Sequence, residues 1–129
     1  MGFFSWNCVA CNKAFISACN FDEKTKWAAE VTVALYCKAY RSTPATIIHG
    51  IYDGYGDVGS GEFNFLDWDT SQYPDYRAFH TTCWELLDEP ELVKDLSFYK
   101  PNQSADNQGY FLSESEWVDL EDQPRLILH

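Results

Sequence analysis

Two short motifs carry the clearest chemistry in the sequence, Cys8-Val-Ala-Cys11 and His80-Thr-Thr-Cys83. Together they offer three thiols and one imidazole, a donor set that suits a tetrahedral zinc ion. Two cysteines three residues apart can converge on one ion from a tight turn. Asn12 and Lys13 follow the second cysteine, as polar residues do in a metal knuckle. On a helix, His80 and Cys83 share one face and project together. Four protein donors complete a tetrahedral shell. The expected ion, Zn2+ held by Cys8, Cys11, His80 and Cys83, is therefore structural rather than catalytic. A ring nitrogen of His80 should also find an acceptor outside the metal shell.

Other uses of these residues compete with that reading. Cys8-x-x-Cys11 is also the spacing of a redox pair, but such a pair normally follows a strand, and only seven residues precede Cys8. His80 and Cys83 can pack as core residues beside Trp84, and Cys19 or Cys37 can replace one donor. A nucleophile pair of Cys37 and His49 is possible on paper. His49 shares its face with Ile47 and Ile51, which favours a packed histidine, so no catalytic residue is assigned and no enzymatic activity is expected.

The segment Tyr52-Asp-Gly-Tyr-Gly-Asp-Val-Gly-Ser-Gly61 has four glycines, which implies positive φ or close chain approach. Its acids do not follow the alternation of an EF-hand loop. No Gly-Lys-Ser/Thr follows, so it is not a phosphate loop. Turn formation is the default. A sharper reading is a ligand loop for a nucleotide or metabolite, with Tyr52, Asp53, Tyr55 and Asp57 as contacts. Trp68 between Asp67 and Asp69, and Trp117 in the acidic tail, suit a protein interface.

These residues need elements to hold them. Residues 29–37 alternate, with Val31, Val33, Leu35 and Cys37 on one face and Thr32, Ala34 and Tyr36 on the other, which predicts a strand. Cys37 reads as a core residue. Arg41-Ser-Thr-Pro44 is a turn, and residues 45–53 form a second strand antiparallel to the first. Residues 62–66 offer a third strand, and residues 67–74 a loop. A helix is expected from Tyr76 or Arg77 to Leu87, interrupted by Glu89-Pro90. A short helix over 91–96, a polar loop over 100–109 and a packed Tyr110-Phe-Leu112 follow. Ser113-Glu-Ser-Glu116 resembles a capping box before one helical turn. The 68 residues between the two metal pairs cost closure entropy only logarithmically, and an intervening sheet brings the pairs together.

Length and composition bound the rest. A chain of 129 residues suits one domain. Aromatic residues make up 17%, enough bulky apolar area to argue for a packed core. The charge of −11 is unevenly spread. Residues 1–48 carry five Lys/Arg against three Asp/Glu, and residues 49–129 carry four against seventeen. Such a surface repels phosphate backbones, which disfavours direct nucleic-acid binding, and attracts a basic protein partner. It also serves solubility. No stretch is long and apolar enough to span a membrane. The first residues lack the basic and apolar regions of a signal peptide. Trp6 stands where a myristoylation motif has Ser or Thr. Five cysteines, an odd number, fit a reducing cytoplasm better than a disulfide framework.

The opening Met1-Gly-Phe-Phe-Ser-Trp-Asn-Cys-x-x-Cys11 is similar to the start of a family of small bacterial and bacteriophage proteins. Tyr52 to Gly56, the His80-x-x-Cys83-Trp84 stretch and Asp106 to Phe111 match further family motifs in the same order. The resemblance covers most of residues 1–111 and leaves the acidic tail outside it. It implies a bacterial or phage-infected cytoplasm and the same four metal ligands, and it brings no activity with it.

The expected fold is α+β, a small antiparallel sheet with one main helix packed on it, stapled by the zinc site. Residues 1–112 form the domain and residues 113–129 an acidic extension packed on it or appended to it. The expected function is a non-enzymatic, zinc-stabilised protein-interaction module. Two alternatives stand beside it. One is an acidic phage inhibitor that mimics nucleic acid or blocks a basic site on a host protein. The other is a small-ligand binder using residues 52–61.

Overall fold

Glu30–Tyr36 (β1) reads Glu-Val-Thr-Val-Ala-Leu-Tyr, a β-branched and aromatic run that suits a pleated, buried position. It is the central strand of a three-stranded antiparallel sheet in the order β2-β1-β5. β2 is Thr46–Ile51 and β5 is Asp75–His80. The structure, a computed structural model, describes residues 5–17, 23–37, 44–86 and 114–120. A two-stranded ribbon of β3 (Asp57–Val58) and β4 (Phe63–Asn64) lies between β2 and β5 in sequence. A 3-10 helix, Lys26–Ala29, leads into β1. Thr81–Leu86 (α1) follows β5 directly, and Glu114–Asp119 (α2) is the last described element.

Register sets the two faces of the sheet. Val31 lies opposite His80, Val33 opposite Ala78 and Leu35 opposite Tyr76. On β2 their row continues through Gly50, Ile48 and Thr46. This face carries the main core. Trp6 stacks on Phe65 at 4.6 Å, and Phe65 and Phe63 reach Tyr76 at 5.7 and 5.2 Å. Each such ring pair adds about 0.5–1.5 kcal/mol beyond area burial. The opposite row holds Thr32, Ala34, Phe79 and Arg77. Trp84 of α1 packs there against Phe79 at 5.3 Å. Arg77 is buried on this face, where it pairs with Asp75 at 2.7 Å and lies 5.5 Å from the Tyr36 ring centre.

The hairpin expected over 29–37 and 45–53 forms over the shorter strands 30–36 and 46–51, with the expected faces. The helix expected from residue 76 or 77 does not. Residues 75–80 are strand, and the helix starts only at Thr81. The physical reason lies in β1, whose second edge needs a partner for its amide groups. Tyr76-Arg-Ala-Phe-His80 supplies one, and both of its faces are buried. The third strand is shorter than expected and pairs with residues 57–58 rather than with the main sheet. Residues 67–74 carry no regular element, as expected, and α2 falls on the expected helical turn. The expected features at 91–96, 100–112 and 121–129, and Cys19, lie outside the described residues.

β2 and the turn after β3 touch backbone to backbone. A Cβ on Gly50 would come within 2.5 Å of both Cα and N of Gly59. Neither atom belongs to a side chain that can swing away. Gly50→Ala is expected to cost about 1–3 kcal/mol, as overpacking does. A denaturant midpoint equal to that of the parent would show that the turn yields freely. Among the described residues, no helix is long and apolar enough to cross a membrane.

Candidate metal centre

The first pair of donors sits in a knuckle closed by its own backbone. The amide of Cys8 donates to Lys13 O at 2.9 Å, and the amide of Asn12 donates to Cys8 O at 2.9 Å. Asn12 takes φ 64°, a left-handed conformation that asparagine tolerates better than most residues. The Ala10 amide points at Cys8 Sγ at 3.4 Å. On either side the chain pairs with itself, since Phe15 N donates to Trp6 O at 2.9 Å and Asn7 bridges Ala14. Val9 N donates to Ala78 O at 3.0 Å, which docks the knuckle on the outer edge of β5.

The second pair comes from a strand-to-helix corner. His80 is the last residue of β5 and Cys83 lies in the first turn of α1. Their convergence therefore arises from the corner and not, as expected, from a shared helix face. The His80 amide also points at Cys8 Sγ, at 3.4 Å.

The four donor atoms lie within 4.8 Å of one another, and all four residues are buried. Cys11 Sγ is 3.2 Å and Cys83 Sγ 3.9 Å from His80 Nδ1. A tetrahedral ion with metal–sulfur bonds of about 2.3 Å and metal–nitrogen bonds of about 2.0 Å separates its donors by roughly 3.5–3.8 Å. The observed spacings bracket that range, so the cluster fits one small ion. His80 Nε2 is 2.8 Å from Ala14 O. A carbonyl only accepts, so Nε2 carries the proton and Nδ1 offers its lone pair to the sulfurs. The acceptor expected for the second ring nitrogen is thus Ala14 O.

Burial alone would raise the Cys8 thiol, but hydrogen bonds from Cys11 and Cys83 and the adjacent His80 ring outweigh it and hold Cys8 well below its ordinary value. Cys11 is pushed up to about 12, chiefly because its proton is shared with Cys8. Cys83 is pushed up by hydrogen bonds to Cys11 and Cys8 and by burial. Thiols ordinarily titrate near pH 8.5, and only thiolates bind metal well. Uptake of an ion near neutral pH should therefore release protons, and affinity should fall as pH falls. Calorimetry in buffers of different ionisation heat reads the proton count directly. Uptake with no proton release would mean that the sulfurs are not the donors.

Two rings that sequence reasoning did not attach to the site enclose the imidazole. Phe15 meets His80 edge-on at 4.8 Å and Trp27 at 4.4 Å. Phe15 follows the knuckle closely enough to be suspected. Trp27 carries no such signal, because it comes next to the centre only through the entry into β1.

The other candidate residues do not gather into one site. Tyr52 is fully buried and meets Trp6 at 6.2 Å, so only Tyr55 of the two tyrosines is exposed. Asp53 Oδ1 accepts from the amides of Tyr55 and Asp57, and Asp57 Oδ1 accepts from Asn64 Nδ2 at 2.6 Å. These acids cap turns, which is the default role of the segment, and its glycines at 54, 56, 59 and 61 all have positive φ. Trp68 is half-buried, packs on Phe63 and Tyr76, and donates Nε1–H to Tyr73 O at 2.8 Å. Its ring belongs largely to the core. Trp117 lies in α2, and its side chain is outside the described residues.

Cys37 and His49 stand apart as well. His49 lies opposite Thr32, five residues from Cys37 along extended chain, which separates the two by roughly 16 Å. His49 is exposed, with Nδ1 2.7 Å from Thr32 Oγ1, and its ring meets Trp84 edge-on at 6.3 Å. Cys37 is only partly buried, beyond the end of β1, and is not the core residue expected.

Set against family models, curated proteins and solved structures, the chain matches none. Fold and site together define the class as far as geometry does. This is an α+β protein with a buried Cys3His group able to hold a metal ion.

Proposed function

We propose that Cys8, Cys11, His80 and Cys83 hold one zinc ion in a structural role, within a non-enzymatic module that binds a basic protein partner. The observation that carries the metal part is the burial of all four donors within 4.8 Å of one another. Three sulfurs and one imidazole favour zinc or iron over calcium or magnesium. With four protein donors the shell is closed, which suits a staple rather than a catalyst. Elemental analysis of purified, tag-free protein tests this, with one zinc per chain expected. Absence of a stoichiometric transition metal would overturn it.

The charge of −11 supports the basic partner. So do Tyr55 and Leu66, exposed large side chains in a stretch from residue 44 to 76 that has six acids and no lysine or arginine. Similarity of the opening, Tyr-Asp-Gly-Tyr-Gly and His-x-x-Cys-Trp motifs to small bacterial and bacteriophage proteins supports a bacterial or phage-infected cytoplasm as the setting. Charge-led recognition weakens with salt. A purified partner should lose affinity at least about ten-fold between roughly 0.05 and 0.5 M salt. Affinity indifferent to salt would argue against charge as the basis of recognition.

A further inference from the structure

Behind His80 lies a second, smaller apolar cluster. It joins Ile16, Ala28, Ala29 and Leu120, with Trp27 packed on it. Three distant stretches of chain meet there. Residue 16 continues from the knuckle, residues 27–29 form the entry to β1, and Leu120 follows α2. Ile16 N donates to Ala28 O at 3.2 Å, which binds the first two stretches together. Trp27 Nε1 donates to Leu120 O at 3.1 Å, which holds the third. Leu120 is 1% exposed, so its side chain is inserted and not merely laid against the surface.

Trp27 faces both ways. Its ring meets the His80 imidazole at 4.4 Å, and its N–H holds Leu120. The same imidazole is fixed at Nε2 by Ala14 O, two residues before Ile16. A metal on Nδ1 would lock the last freedom of this ring. The ring would then present a fixed wall to Trp27, and Trp27 a fixed donor to Leu120. Without an ion the imidazole and the knuckle would lack that constraint, and the floor on which Leu120 rests would be looser with them. Ordering one site lowers the cost of ordering the other, and such coupling is reciprocal by thermodynamic necessity.

We propose that residues 114–120 are coupled to the metal centre through Trp27, so that filling the centre and seating this segment strengthen each other. The inference rests on the metal reading above but adds a linkage that the reading does not require. Release of the segment on metal loss would also bare Leu120 and its apolar seat.

Reciprocity gives the test. Leu120→Ser alters no metal donor, yet it should lower zinc affinity, measured against a chromophoric chelator, by roughly 5- to 150-fold. Trp27→Phe keeps a ring beside His80 and removes the N–H to Leu120. At saturating zinc it should speed amide exchange in residues 114–120 about ten-fold and leave residues 30–36 unchanged. Should Leu120→Ser fail to fold, exchange in residues 114–120 with and without zinc decides: zinc should slow it in the parent, and Trp27→Phe should diminish that slowing; equal exchange with and without zinc in the parent would overturn the coupling. A folded Leu120→Ser protein with parental zinc affinity, or exchange in 114–120 unaltered by Trp27→Phe, would overturn the coupling while leaving the metal site intact. A parent protein that binds no zinc at all would overturn the metal reading and the coupling with it.

Discussion

Cys83→Ser is expected to lower zinc affinity by two to three orders of magnitude and to leave the protein largely unfolded without added metal. Zinc binding in small structural sites is worth roughly 10–16 kcal/mol near neutral pH, so one donor in four carries about 2.5–4 kcal/mol. That is comparable with much of the stability of an ordinary domain, about 5–15 kcal/mol. The serine hydroxyl is a poor ligand and would sit beside a thiolate at a position with 0% exposure. Cys37→Ser is the internal comparison. Cys37 is partly exposed beyond β1 and outside the cluster. Its substitution should stay within about 0.5 kcal/mol of the parent. Cys19, which the sequence leaves outside the donor set, should behave as Cys37 does. Equal damage from all three substitutions, read by circular dichroism and metal content, would show that the donor set is wrong.

Stripping the metal is expected to have the second large effect. An ion in the centre would tie the knuckle to the β5–α1 corner, so binding energy there would be folding energy. At this chain length 1 kcal/mol shifts the melting temperature by roughly 3–5 °C. A strong chelator should therefore lower the melt by at least about 15 °C, and added zinc should restore it. The drop should be largest at mildly alkaline pH, where protons compete least for the sulfurs. A melt unchanged after elemental analysis has verified metal loss would show that the apolar core suffices by itself. The core is not negligible, with Trp6, Phe15, Phe63, Phe65, Tyr52 and Phe79 all essentially inaccessible. The size of the drop thus measures the share held by the staple.

The donor set was legible in the sequence because thiol and imidazole pairs at three-residue spacing are chemically unusual. Their identity survives any local misassignment. The β1–β2 hairpin was legible too, since alternation at Val31, Val33 and Leu35 is a local signal that tertiary packing reinforces. The strand at Tyr76–His80 was not. Its residues are buried on both faces, so the polar alternation that marks a half-exposed strand is missing. Cys83 and Trp84 downstream then drew the helix backwards over it. Two of the aromatic candidates, Tyr52 and Trp68, turn toward the core, and the sequence hid this for a related reason. Tyr52 and Trp68 stand among acids and glycines, and composition alone does not say that their rings turn inward while the acids cap turns. Trp27 was invisible as a neighbour of the centre, because only the three-dimensional path of residues 26–29 brings it to His80.

One feature of the site bears on how such a chain matures. The four candidate donors come from both ends of residues 8–83, and the later pair sits at the end of β5, the strand that pairs with β1. A chain still emerging from the ribosome can show an ion the Cys8–Cys11 half-site and nothing more. Tight capture must await correct strand pairing across the sheet. An ion held there would thus act as an inspector of topology: chains that had assembled the right order of strands would retain it, and chains that had not would be left without a staple.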